Sequence, residues 1–569
     1  METSAETGTR VRGAEAADRI QVRVRINCLR VLMFALSVCL GTSAATAQDA
    51  TPVRVADAKC ARCHVAIFNK YLETPMANAS GSAKDRLRPG RLEHTSSSIE
   101  YTVAEDQGQP TLSYRSLKDP DLAGHLKLDY FLGSGHLGTT YLYSIDNFLF
   151  ESPVAWYGPT QNYDMKPGLS GMRSMPPPLP MQSECLRCHM SSVQLSMPGT
   201  INRYAALPFL HTGITCEECH GDSATHVRSG GKAAMVNPKL LSPDQRDSVC
   251  IYCHLEGDVH VERAGQSALN YRPGDSVSKF LAFYVRPKAN ITDRGVSEVE
   301  QLSQSTCKRM SGDRMSCTSC HDPHYTPAKS DKAAFFRSKC LACHSQPKFA
   351  QTHHPENKDC TSCHMPRTGA ENIPHVAWTD HRILKLPDVS RPGSVPENSR
   401  GDLTPIFSPA ANGRDLAMAN YRALLEGDTS RESAAWTQLN TEREADPNDI
   451  AVLDALGNMS AERGQTQQAE ACFRRVLAVA PDDLTALSNL GVLLAKQGKV
   501  TESLTLLERA FSRNQDLPGL AMNFARVQCI AGDATGAKAT LRATLKYGSN
   551  LESVKRLLTG LNDCKVETK

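Results

Sequence analysis

The chain has 569 residues, 40% hydrophobic and 22% charged, a composition in the ordinary globular range and a length for about three or four domains. Its 64 basic and 61 acidic residues leave a net charge of +3, too small and too dispersed for an electrostatic footprint on nucleic acid, which is thereby set aside as a partner. The compositional signal is 20 cysteines and 18 histidines, with every histidine between His64 and His381.

At the N-terminus, Arg25 and Arg30 flank the entry to an apolar run, Val31 to Leu40, followed by Ala45-Thr46-Ala47. This pattern reads as a secretory signal peptide over residues 1–47, cleaved after Ala47. The run is too short to span a bilayer comfortably, and no other segment could cross one. The mature protein is therefore expected in the periplasm or otherwise exported, with no integral membrane segment. Glu2, Glu6, Glu15 and Asp18 suit a leader poorly and point to a start codon further along.

Residues 48–385 form the next expected domain. It carries a Cys-x-x-Cys-His string seven times: Cys60, Cys63 and His64; Cys185, Cys188 and His189; Cys216, Cys219 and His220; Cys250, Cys253 and His254; Cys317, Cys320 and His321; Cys340, Cys343 and His344; Cys360, Cys363 and His364. Within it, an insert at about residues 90–160 reads as β structure. The runs "SIEYTV", "TLSYRS", "TYLYSI" and "FLFESP" are strand-like, and the last two meet at an Asp146-Asn147 turn. From Cys185 onward the strings leave room for short helices and loops but not for folded domains between them. The Pro-, Ser- and Gly-rich stretch 386–413 reads as a linker.

Residues 414–569 repeat at a period of 34. Gly457 and Gly491, then Gly464, Gly498 and Gly532, then Pro447 and Pro481, and Ala469, Ser503 and Ala537 all keep that spacing. This is the tetratricopeptide (TPR) period, with a degenerate unit read around Tyr421 to Leu439. Such helix pairs stack into a solenoid that typically binds other protein segments.

The string itself points to c-type haem, with the two cysteines as thioethers to the porphyrin and the adjacent histidine as axial iron ligand. Zinc would use the cysteines but gives no reason for the histidine. A redox dithiol needs one motif in a βαβ setting. A disulfide between cysteines three apart closes almost no loop. Seven covalently attached haems are thus expected, with His64, His189, His220, His254, His321, His344 and His364 as proximal ligands. Eleven histidines remain for the opposite axial positions. The best placed are His226, His324, His353 or His354, His375 and His381. His94 is a further candidate, and His125, His136, His211 and His260 are weaker ones. Met76 is a possible ligand to the first haem. Cys472 and Cys529 read as core residues of the repeats, and Cys307 receives no chemistry.

The strings "GSGHLGTTYLY", "SPVAWYG", "CEECHGDSATHV", "VNPKLLSPDQRDSVCIYCH", "NYRPGD", "VEQLSQSTC", "MSCTSCHDPH", "DCTSCHMPRT" and "HVAWTDHRI" resemble bacterial multihaem c-type cytochromes with a C-terminal TPR region. These are distantly similar to nitrification cytochromes and hydroxylamine oxidoreductases. The resemblance implies periplasmic electron transfer through closely packed haems. No Cys-x-x-Cys-Lys string of the nitrite-reducing relatives occurs, and no tyrosine can be matched to the cross-linked one of the hydroxylamine-oxidising relatives.

The expected fold is mainly α: a multihaem domain with few regular elements and a small β insert, followed by an all-α TPR solenoid. The expected function is an electron carrier relaying between redox partner proteins, docked through the repeats. Two rivals stand beside it: a multihaem oxidoreductase acting on a small nitrogen or sulfur oxyanion at one open haem, and a TPR scaffold of a respiratory complex.

Overall fold

Alternating aromatic and β-branched residues set the first sheet, an antiparallel meander of Gly90–His94, Ile99–Asp106, Gln109–Ser116 and Ala123–Lys127. Ile99, Tyr101 and Val103 are buried on one face, and cross-strand pairs such as Tyr101 with Tyr114 and Val103 with Leu112 fix the register. A second, seven-stranded sheet runs through Ser80–Ser82, Tyr130–Leu132, Gly138–Ile145, Phe148–Glu151 and Leu179–Pro180, with Val154–Tyr157 and Asn162–Met165 branching from it. Asp146 and Asn147 both take positive φ, 52° and 67°, the two-residue hairpin geometry whose twist matches that of its strands. The computed structural model describes residues 57–286, 294–346, 348–354, 356–369, 373–385, 402–407, 412–548 and 550–561. The expected leader, with its cleavage point at Ala47, and most of the linker lie outside these residues.

The expectation of a mainly α chain with few regular elements and a small β insert is overturned. The structure is 44% helical and 17% strand, with several antiparallel sheets in its N-terminal half and a helical repeat region at its C-terminal end. Strands continue past the insert: Met190–Val193 pairs with Phe209–Thr212 between two of the strings, and Val259–Glu262 pairs with Leu281–Val285, which in turn pairs with Thr404–Pro405. These runs are two to five residues long. At that length periodicity cannot separate strand from loop or buried helix, and the partner is supplied by a tertiary contact.

The chain divides into two units. One comprises residues 57–196 and 202–442 of the described chain, the other Met197–Ile201 with the chain from Arg443 onward. In the first, helix Gly413–Leu425 lies against the sheet of Val259–Glu262, where Asp415 meets Arg263 at 2.5 Å and Arg414 and Arg422 donate to the carbonyls of Glu262 and His260.

The second unit is built of helix pairs: Ile450–Glu462 with Thr466–Val479, Leu484–Lys496 with Val500–Arg513, and Pro518–Ile530 with Ala534–Leu545, then Glu552–Gly560. The recurring glycines serve two purposes. A Cβ on Gly457 would sit 2.5 Å from the Phe473 ring and one on Gly491 2.7 Å from Leu507, so these positions let paired helices touch. Gly464, Gly498 and Gly532 take φ of 72°, 79° and 87° just past helix ends, where a left-handed residue closes the last turn. Met197–Ile201 belongs to this unit, its Pro198 and Gly199 carbonyls accepting from Arg513 and Asn514. Cys472 is buried and free, whereas Cys529 is buried and disulfide-bonded.

Hydrogen bonds from Gln497, Lys499 and Arg474 hold the Glu470 carboxyl down at about 2. A carboxylate with a depressed folded pKa stabilises above its ordinary value of about 4.3 and loses that contribution as pH falls through the folded value. The stability difference between wild type and Glu470→Gln, measured by urea denaturation, is expected to shrink as pH falls from about 5 towards 2.

Candidate functional site

Most of the strings sit on about one turn of helix, which fits their spacing, while the second runs past the end of helix Ser183–Leu186, with the His189 amide on the Leu186 carbonyl. The amide of His64 donates to the Cys60 carbonyl at 2.9 Å, His220 to Cys216 at 2.9 Å, His321 to Cys317 at 2.9 Å and His344 to Cys340 at 3.0 Å. With residues i, i+3 and i+4 on one helical face, two sulfurs and an imidazole point the same way. His254 and His364 end the helices Pro243–His254 and Cys360–His364.

Four string histidines are stacked against a second histidine from elsewhere in the chain. His64 faces His226 with ring centroids 6.4 Å apart and planes 21° from parallel; His220 faces His324 at 6.0 Å and 11°; His321 faces His381 at 6.3 Å and 29°; His364 faces His353 at 5.8 Å and 20°. A ligating imidazole nitrogen lies about 2 Å from its metal with the ring centre about 1 Å further, so two rings sharing one metal place their centroids about 6 Å apart. Each pair also has one ring whose Nδ1 is held on a backbone carbonyl: His226 on Ala233 at 2.6 Å, His220 on Val236 at 2.9 Å, His381 on Thr379 at 2.8 Å and His364 on Leu384 at 2.6 Å. A carbonyl only accepts, so Nδ1 carries the proton and Nε2 keeps its lone pair for a metal. Loss of hydration lowers the imidazolium pKa of His189, His321, His324 and His353, with neighbouring histidines adding to it. That favours the neutral, ligating form.

The strings also meet through their sulfurs. Cys60 lies beside Cys216, Cys188 beside Cys253, Cys250 beside Cys317 and Cys340 beside Cys360. The first string is thus adjacent to the third, the second and fifth to the fourth, and the sixth to the seventh. Arg187 lies over the Tyr252 ring at 4.5 Å between the second and fourth. Cys307 lies near Cys320 and Cys343.

Other candidates are placed differently. His94 is buried with Nδ1 on Ser97 at 2.7 Å and Nε2 on the Ser170 carbonyl at 3.0 Å, so both nitrogens are engaged. His375 pairs with Asp164 at 2.6 Å and sits edge-on to Tyr157. His354 stands beside His353, its ring tilted 54° to His364, and the three offer ligand atoms within 4.8 Å of one another. Nothing in "THHPENKDCTSCH" distinguishes the two adjacent histidines; in the structure His353 is the one whose ring lies near-parallel to His364. His125 and His136 are exposed, His211 lies on strand Phe209–Thr212, and His260 lies near Phe283 at 5.9 Å. The Met76 carbonyl accepts from Ala79 and Ile214.

A bulky apolar group fits this unit on a further observation. Between Tyr284 and Leu403, a stretch holding three strings, Val376 is the one buried hydrophobic residue among those described. Folded domains bury many.

Residues 169–221 match the family model described as cytochrome c554 and c-prime. That match takes in the second and third strings and suggests c-type haem. Residues 452–485 and 484–517 match tetratricopeptide-repeat models, so the chain pairs cytochrome-like sequence with repeats of a protein-interaction type. No curated protein matches the chain. Solved structures similar to it include MamA, at 21% identity over 26% of this chain and 78% of that one with a TM-score of 0.24. They also include a thermophilic TPR protein of Thermus thermophilus, at 20% identity over 26% and 80% with a TM-score of 0.23, and PilF of Pseudomonas aeruginosa, at 23% identity over 26% and 69% with a TM-score of 0.24. No helix among the described residues is long and apolar enough to cross a membrane.

Proposed function

We propose that the chain is an exported c-type cytochrome in which the seven strings hold seven haems that relay electrons between redox partner proteins, with the repeats as the docking surface. The observation that carries this reading is the set of four stacked histidine pairs, each with one ring anchored through Nδ1. Bound haem would supply the one-electron couple. The chain's own part is geometric: the cysteines would attach each haem, the imidazoles would ligate its iron, and strings that lie side by side would hold neighbouring haems in proximity. Filling both axial positions makes an electron carrier rather than a substrate site.

A pyridine haemochrome assay on the mature protein is expected to give seven haems per chain, and a value far below that ends the proposal. Low-temperature electron paramagnetic resonance is expected to show low-spin ferric signals from the paired strings. Replacing His381 by Ala should convert one of these to high spin while the haem count holds. An unchanged spectrum would remove His381 as a ligand.

A second reading, a multihaem oxidoreductase acting on a small nitrogen or sulfur oxyanion, is favoured by one observation. Among the described residues, His189, His254 and His344 are not stacked on a second histidine. That reading expects a high-spin signal in the wild type that shifts on adding nitrite or hydroxylamine.

A further inference from the structure

Resting on the cytochrome reading, we propose that Glu300 takes up a proton when haem held by the fourth or fifth string is reduced, so that electron relay through this part of the chain is coupled to pH. Glu300 lies on helix Glu298–Gln304, and that helix packs against Pro243–His254, which ends in the fourth string. The next residue, Gln301, accepts the backbone N–H of His381 at 2.7 Å, and His381 is the ring stacked on His321 of the fifth string. One helix thus touches the supports of both strings.

The Glu300 side chain is buried, only 4% exposed, with its charge poorly compensated. Oε1 meets Arg294 at 3.2 Å, while Oε2 is buried and makes no hydrogen bond. Arg294 is itself divided, reaching Asp258 at 3.3 Å, and Arg286 is divided between Asp258 at 3.5 Å and Asp428 at 3.4 Å. The charged groups facing Glu300 are Arg294, Glu298 and Asp258, so two of the three are acidic. Burial above all, helped by those two carboxylates, raises the Glu300 carboxyl to about 7, against the opposing pull of a hydrogen bond from its own backbone amide and of Arg294. A protonated Glu300 would turn its unpartnered oxygen into a donor and leave Arg294 to Asp258.

The balance is one electron and one proton. Ferric iron accepts an electron from the reductant, the Glu300 carboxylate accepts a proton from solvent, and local net charge is unchanged. Reduction removes positive charge from the neighbourhood, which makes the carboxylate harder to keep ionised and raises its pKa. Equivalently, the midpoint potential falls as pH rises, by no more than about 59 mV for each tenfold change in proton concentration.

The test is spectroelectrochemical titration of the haem-loaded full-length protein across about pH 6 to 8, comparing wild type with Glu300→Gln and Glu300→Asp. Wild type should contain a component whose midpoint falls with pH, Glu300→Gln should flatten it, and Glu300→Asp should retain it. A flat wild-type response, or equal slopes in wild type and Glu300→Gln, overturns the proposal. Should neither variant accumulate with its haem, proton uptake by the wild type on reduction with the methyl viologen radical cation, a reductant that releases no proton, followed with a pH dye in weak buffer near pH 7, decides: uptake supports the coupling and none overturns it. Failure of the cytochrome reading is distinguishable, because a protein without haem gives no redox-active Soret band to titrate.

Discussion

Produced without haem attachment, the chain is expected to lose its order between Gly295 and Leu384 while the repeats from Ile450 to Leu545 stay folded. Ordering a residue's backbone costs about 1–2 kcal/mol, and burying a large apolar side chain returns about 1.5–3 kcal/mol. With Val376 as the one buried hydrophobic residue described between Tyr284 and Leu403, the polypeptide alone cannot offset that cost. The repeats stand differently, with Leu456, Phe473, Leu487, Leu507, Leu520 and Leu541 all nearly or fully buried. Limited proteolysis and amide exchange of the apo protein should show rapid cleavage and exchange confined to the first stretch. Equal protection across both would remove the idea that the cofactor is the core.

Phe473→Ala is expected to cost about 3–5 kcal/mol, the range for deleting a large core aromatic. Phe473 is fully buried and its ring fills the space left by the missing Cβ of Gly457 on the paired helix. Against a total stability of about 5–15 kcal/mol, such a loss brings the repeat close to unfolding. Urea denaturation followed by helical circular dichroism should show the midpoint falling sharply. Gly457→Leu should act the same way from the opposite side, by overpacking, at about 1–3 kcal/mol. A loss below about 1 kcal/mol for Phe473→Ala would mean that the helix pair closes up without it.

The repeats were legible because their period is long and their punctuation is chemical. The left-handed glycines at 464, 498 and 532 and the close-contact glycines at 457 and 491 recur every 34 residues, and both columns have a physical cause in the fold. The hairpin at Asp146-Asn147 was legible for the same local reason. The sheets beyond residue 160 were not, because strands such as Val259–Glu262 and Leu281–Val285 are short and depend on pairing across the chain. In the candidate site, spacing marks the strings, but it says nothing of which histidine answers which. His226 stacks on His64 of the first string although it lies just past the third, and only the fold brings them together. The stacking of His353 rather than His354 on His364, the engagement of both His94 nitrogens and the pairing of His375 with Asp164 are likewise tertiary facts.

The cross-pairing of strings that are not consecutive has a consequence for biogenesis. Asp57, beside the first string, bonds the amide of Cys216, 159 residues later. An emerging chain therefore presents its first sulfur pair long before the side chains that will enclose it exist. Enclosure of the first string therefore waits on well over a hundred further residues.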